Sequence, residues 1–226
     1  MSAAAPAHRV PPGQENAMTS EDADRLPRFG CEDFEIVGEA PLHRGFFALD
    51  RVGVRYRQYR GGWSERVERE VFRHHDAVGV LLYDPERDAV VLVEQFRAGA
   101  AGREESPWLL EPAAGLIDSE EREEQVARRE VREEVGCEVS ELIRLHRYFP
   151  SPGACDERIT LYCALVDSSV LGGVHGLDAE HEDILVRVLS FQEVWQRVED
   201  GTLNNAMALI ALYWLARERA ALRARR

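Results

Sequence analysis

Residues 115–137 run GLIDSEEREEQVARREVREEVGC. Gly115 is followed after five residues by Glu121, and after seven more by Arg129-Glu130. Val131, Arg132, Glu133, Glu134, Val135, Gly136 and Cys137 complete the stretch. The pattern predicts a helix over about 119–135. Asp118 with Glu121 three residues later has the form of a capping box at its start. Gly136 stands where a helix stop belongs. At 3.6 residues per turn, Glu130, Glu133 and Glu134 fan over roughly 100° of one helix face. Three carboxylates so close repel one another unless cations sit between them. Oxygen ligands of this kind suit Mg²⁺ or Mn²⁺. A solvated helix laced with Arg128, Arg129 and Arg132 is the plainer reading of the same charges. The complete spacing favours a metal site.

Upstream, Val78–Tyr83 and Ala89–Gln95 flank Asp84-Pro85-Glu86-Arg87-Asp88, which predicts a strand, a turn and a strand. Downstream, strands are predicted near 142–149, 158–166 and 184–189, and helices over about 191–200 and 205–222. Residues 32–75 hold short alternating stretches, Phe34–Val37 and Val52–Tyr56, and the Gly61-Gly62 pair marks a turn. A small antiparallel sheet is expected there. Pro6, Pro11, Pro12 and Pro27 among small and polar residues predict a flexible tail over residues 1–30. The domain plan is thus a tail (1–30), an N-terminal β region (31–75) and a main α/β domain (76–226).

The chain has 226 residues, 45% of them hydrophobic, enough to bury a core. Its formal net charge of −13 argues against a general binder of nucleic acid or of membrane surfaces, which needs a basic face. All 28 basic residues are Arg, so no Schiff-base or P-loop lysine is available. Arg offers a planar fork suited to phosphate. The four Cys, at 31, 137, 155 and 163, match no zinc spacing. No apolar signal segment opens the chain, and the run Ala206–Ala216 is too short to span a bilayer. A cytoplasmic protein with reduced cysteines is expected.

The 115–137 stretch resembles the Nudix box, Gly-x5-Glu-x7-Arg-Glu-U-x-Glu-Glu-x-Gly-U with U apolar, at every charged and glycine position. Cys137 in the last apolar place is a mild departure. Three further segments resemble the bacterial ADP-ribose pyrophosphatase branch: Ser151-Pro152-Gly153 continued by Cys155-Asp156-Glu157-Arg158; Glu94-Gln95-Phe96-Arg97 with Pro107-Trp108-Leu109-Leu110-Glu111; and the acidic loop His175–Asp183. The resemblance covers about residues 34–222.

It implies an α/β fold, a Nudix α/β/α sandwich with a mixed β-sheet, preceded by the small antiparallel β region. It implies Mg²⁺-dependent hydrolysis of ADP-ribose to AMP and ribose 5-phosphate, in a homodimer. By position, the Ala114 carbonyl, Glu130, Glu133, Glu134 and Glu182 would hold metal, and Glu180 would be the general base, with Glu133 the next candidate. Gly115, Glu121, Arg129 and Gly136 would be structural, Glu121 and Arg129 bracing the box by pairing. Arg97 would bind phosphate. Arg69 and the partner subunit's Phe46 would hold the adenine, a flat base between a guanidinium plane and an aromatic ring. Ser151, Gly153 and Glu157 would line the substrate site. His175 and His181 read as loop residues, because neighbouring carboxylates can serve as base.

Three other readings compete. A Nudix enzyme could cleave another nucleoside diphosphate derivative, such as a nucleotide sugar. Isopentenyl diphosphate isomerase shares the fold, but its motifs are not seen around this box. A ligand-binding regulator would show an eroded box beside a DNA-binding domain; this box is intact, and no basic helix-turn-helix segment flanks it.

Overall fold

Every residue of Ala77–Asp84 is buried, as expected of a strand covered on both faces. This strand organises the larger of two compact units in the computed structural model, which describes residues 26–117 and 120–224. One unit ends at Phe72 and the other begins at Arg73. The tail expected over 1–30 falls, through residue 25, outside the described residues, as does Asp118.

The first unit holds β1 (Phe34–Arg44), β2 (Ala48–Tyr56) and most of β3 (Val67–Arg73), in the order β1-β2-β3. β1 and β2 are antiparallel. The Gly61-Gly62 pair does form a turn, with the Gln58 amide donating to the Gly62 carbonyl at 3.0 Å. Phe34, Ile36, Val37 and Leu42 of β1 are all exposed.

In the second unit the buried strand is β4. β5 (Ala89–Phe96), β6 (Trp108–Glu111), β7 (Ala113–Leu116), β8 (Ile143–Tyr148), β9 (Ile159–Leu165), β10 (Gly173–His175) and β11 (Ile184–Ser190) complete a mixed sheet. Its order is β10-β11-β5-β4-β9-β8, with β4 and β9 parallel. β4 and β5 pair only at their hairpin end, from Leu82↔Val91 to Asp84↔Ala89. Beyond that they part. β6 then takes the free edge of β5, Val93↔Glu111 to Phe96↔Trp108, and β7 that of β4, Ala77↔Leu116 to Val80↔Ala113. This inserted pair carries Ala114 and Gly115 into the middle of the sheet.

Alternation along the strands divides the core. Val78, Val80, Leu82, Val91 and Val93 face Val126, Ala127, Val131 and Val135 of helix α1 (Glu123–Val135). Leu81, Tyr83, Val90 and Leu92 face Val194 of α2 (Phe191–Glu199) and Ala208, Ala211, Leu212 and Leu215 of α3 (Ala206–Arg223). Each fully buried Leu or Val contributes about 1.5–3 kcal/mol, so both helical layers are held by apolar contact. The result is the expected α/β/α sandwich. Among the described residues no helix is long and apolar enough to cross a membrane.

One expectation is corrected. α1 begins at Glu123, not near 119, with Arg122 as its N-cap. The Arg122 amide donates to Gln125 Oε1 at 3.0 Å instead. Glu121 is drawn away to Arg129, 3.4 Å from its Nε. Residues 120–122 stay out of the helix.

Candidate active site

Ala113 and Gly115 alternate onto the α1 side of β7. Gly115 is required there by space: a Cβ on it would lie 2.0 Å from Glu130 Oε1. The Glu130 carboxylate is therefore laid flat on the strand. One turn on, Glu134 is 2% exposed, and its Oε2 accepts the Ala114 amide hydrogen at 2.9 Å. Glu133, half-buried, completes the three-carboxylate face. A single guanidinium serves this group: Arg129 Nη1 lies 2.8 Å from Glu130 and 2.9 Å from Glu133, while its Nε faces Glu121. At the far end Gly136 closes α1 in the left-handed region, φ 73°, with its amide donating to the Arg132 carbonyl.

The electrostatics are unbalanced. Burial pushes the Glu130 carboxyl up to about 7; Arg129 opposes this, and Glu133, Glu182 and Glu180 add to it. Burial likewise pushes Glu134 up to about 8, against the Ala114 hydrogen bond and the charge of Arg97, with Glu130 and Glu182 adding. Arg129 in contact and Arg97 at longer range supply too little positive charge for carboxylates this deeply placed.

Arg97, just past β5, donates to Glu111 Oε2 at 2.7 Å. Gln95 Nε2 lies 3.4 Å from the same oxygen. The acidic loop folds on itself: the Leu177 amide donates to Glu182 Oε2 at 3.1 Å, and the Glu180 amide to the Leu177 carbonyl at 2.9 Å. The Glu180 side chain is left exposed, and both loop carboxylates lie close enough for their charges to act on Glu130. Ser151 and Gly153 lie in an exposed turn closed by the Ala154 and Cys155 amides on the Ser151 carbonyl. Glu157 is half-buried, 3.4 Å from His74 Nδ1, and burial raises its carboxyl while His74 opposes.

Arg69 and Phe46 belong to the N-terminal unit. Arg69 Nη1 donates to the Glu68 carbonyl at 2.9 Å. Phe46 is 85% exposed and meets Phe47 edge-on at 4.7 Å, so it is not a core residue. The structure thus gathers Ala114, Gly115, Glu121, Arg129, Glu130, Glu133 and Glu134 in direct contact, with Arg97, Glu180 and Glu182 within range of their charge. Ser151 and Gly153 lie in a turn of their own, and Glu157, beyond that turn, sits beside His74. Glu111 was given no role from sequence, though it ends the Pro107–Glu111 segment of the resemblance; the structure pairs it with Arg97.

No three His, Cys, Asp or Glu side chains among the described residues are grouped closely enough to hold a metal ion as they stand. Arg129 and the Ala114 amide occupy oxygens that a cation would take. The donor set nonetheless fits one: the carboxylates are adjacent on one face, Glu130 and Glu134 are buried, and the group is short of positive charge.

A carboxylate helix seated on a glycine strand, inside an α/β/α sandwich, defines a class. The sequence profile of the NUDIX domain matches residues 73–209, and the chain belongs to that family as a Nudix hydrolase. Within it, the chain is 44% identical over 193 residues to the ADP-ribose pyrophosphatase of Escherichia coli (strain K12), covering 85% of this chain and 92% of that one. It is 33% identical over 185 residues to a GDP-mannose pyrophosphatase of Escherichia coli (strain UTI89 / UPEC), covering 81% and 95%. A solved structure described as an ADP compounds hydrolase superposes with a TM-score of 0.61 at 20% identity, covering 82% of this chain and 96% of that one, and supports the fold.

Proposed function

We propose that this enzyme hydrolyses ADP-ribose to AMP and ribose 5-phosphate with Mg²⁺, Mn²⁺ being the other cation its ligands suit. The observation that carries the reading is the undercompensated set of buried Glu130, seated on Gly115, buried Glu134 and half-buried Glu133, in a chain 44% identical to an ADP-ribose pyrophosphatase. Those three carboxylates, the Ala114 carbonyl and Glu182 would hold the cation, which supplies charge neutralisation at the diphosphate. Glu180 accepts a proton from water as the water oxygen bonds to one phosphorus. The P–O bond on the other side breaks, and the leaving phosphate departs with that electron pair, bound by Arg97. Glu133 is the second candidate for base. Ser151, Gly153 and Glu157 contact substrate; Gly115, Glu121, Arg129 and Gly136 hold the scaffold.

Adenine would lie between Arg69 and the partner subunit's Phe46. A second copy of the chain suits the exposed apolar residues Phe34, Ile36, Leu42 and Phe46, which a solitary three-stranded sheet leaves in water. Sedimentation is expected to give a homodimer at micromolar concentration; a monomer there refutes it.

The GDP-mannose relative favours a second reading, cleavage of nucleotide sugars more broadly. The two separate on a substrate panel. ADP-ribose is expected to exceed ADP-glucose and NAD in kcat/KM, because the clamp reads adenine and the terminal ribose needs a compact polar pocket. Equal values for the three would favour the broader enzyme.

A further inference from the structure

His175 is the last residue of β10 and pairs with Ile184 of β11. Its half-buried ring is held on two edges. Nε2 donates to the Gly172 carbonyl at 3.0 Å. The adjoining Cε1–Nδ1 edge lies on the end of α1: a Cβ on Gly136 would stand 2.7 Å from His175 Cε1 and 3.2 Å from Nδ1. Gly136 therefore meets two demands, a left-handed backbone and room for this ring. Gly176 follows the histidine at φ 104°, and a Cβ on it would stand 2.6 Å from Glu182 Cβ. Glu182 turns back to the Leu177 amide and closes the loop over the short turn Asp178–Glu180. The helix end, the imidazole, Gly176 and Glu182 thus form one line of contact, from the carboxylate helix to the loop that carries Glu180.

We propose that His175 is a positioning residue: its ring is the spacer that seats the acidic loop against the end of α1 and so fixes Glu180 relative to Glu130, Glu133 and Glu134. The assignment rests on the reading of Glu180 as the base. An imidazole suits the task because it is flat, rigid and held at Nε2 and along its Cε1–Nδ1 edge, whereas a smaller side chain leaves the loop free to shift. A displacement of about 1 Å at a reacting group costs on the order of 10²-fold in rate.

The test compares His175→Ala, His175→Gln, Glu180→Gln and the His175→Ala/Glu180→Gln pair in Mg²⁺-loaded enzyme, with the melting temperature of each. His175→Ala is expected to lower kcat about 10–100-fold, with KM changed less than about two-fold. His175→Gln, whose amide can still donate to the Gly172 carbonyl, recovers part of the loss and carries the comparison if the alanine variant does not fold. Adding His175→Ala to Glu180→Gln lowers kcat no further, since no base remains to be placed. A His175→Ala enzyme within about two-fold of the parent, beside an impaired Glu180→Gln, overturns the spacer alone. So does an equal further loss in the pair. Full activity of Glu180→Gln overturns the base assignment and the spacer with it.

Discussion

Glu134→Gln is expected to abolish hydrolysis and, in metal-free protein, to raise stability above that of the parent near pH 8. Both effects come from one side chain 2% exposed to solvent. Activity falls because a neutral amide cannot balance a divalent charge. The fold survives because the amide oxygen can still accept the Ala114 N–H that Glu134 Oε2 accepts at 2.9 Å. The stability gain follows from the raised carboxyl. Burial first, then the charges of Glu130 and Glu182, lift it from 4.5 to about 8. An acid whose folded value is raised holds its proton more tightly when folded. Its contribution is therefore complete below its unfolded value and is lost as pH climbs through the window to about 8. The loss is on the order of a few kcal/mol, and a glutamine escapes it. Two measurements check this: turnover at saturating Mg²⁺, beside parent enzyme treated with chelator, and metal-free melting curves across that pH window. Full turnover of the variant, or of chelated parent, sinks the metal assignment. Parallel pH profiles for the two proteins sink the charge argument.

Glu180→Gln is expected to lower kcat by roughly 10²–10⁴-fold, the usual worth of general-base catalysis, with KM and metal affinity nearly unchanged. A base acts in the transition state and adds little to ground-state binding. The geometry agrees with this separation. Glu180 is exposed at the tip of its loop, whereas Glu182 is folded back onto the Leu177 amide and packed over Gly176. Glu182→Gln is the internal comparison. If the large kcat loss appears there instead, the roles along the loop are shifted by two residues. If neither change lowers kcat tenfold or more, the base lies elsewhere and Glu133 is next, already half-buried against Arg129.

The parts of the fold legible in sequence were those with long periodic signals. Val78–Tyr83 and Ala89–Gln95 are continuous apolar runs and became β4 and β5, almost wholly buried. The 3.6-residue period placed Glu130, Glu133 and Glu134 on one face of α1, and two of the three are buried in the structure. The start of that helix was misread because Asp118 and Glu121 have the form of a cap, while the structure uses Glu121 for Arg129. β6 and β7 were not foreseen. Each has only four residues and Pro112 stands between them, so neither shows a period of its own. Glu111 and His175 have roles defined by partners on other elements, Arg97 and Gly136. Composition and spacing carry no trace of such contacts. The roles proposed for Arg69 and Phe46 call on a second chain, which one sequence describes only through resemblance.

The parting of β4 from β5 has a consequence for how such an enzyme could diversify. The excursion over residues 98–106 leaves and rejoins the sheet at a fixed gate. Phe96 pairs with Trp108, and the Arg97 amide donates to the Pro107 carbonyl at 2.8 Å. Lengthening a loop whose ends are already pinned is inexpensive, about 0.6 kcal/mol for each doubling. The ladder from Trp108 through Leu116 shields the carboxylate helix from whatever happens beyond the gate. Segment 98–106 is thus expected to accept insertion or exchange while Gly115 and Glu130 keep their register.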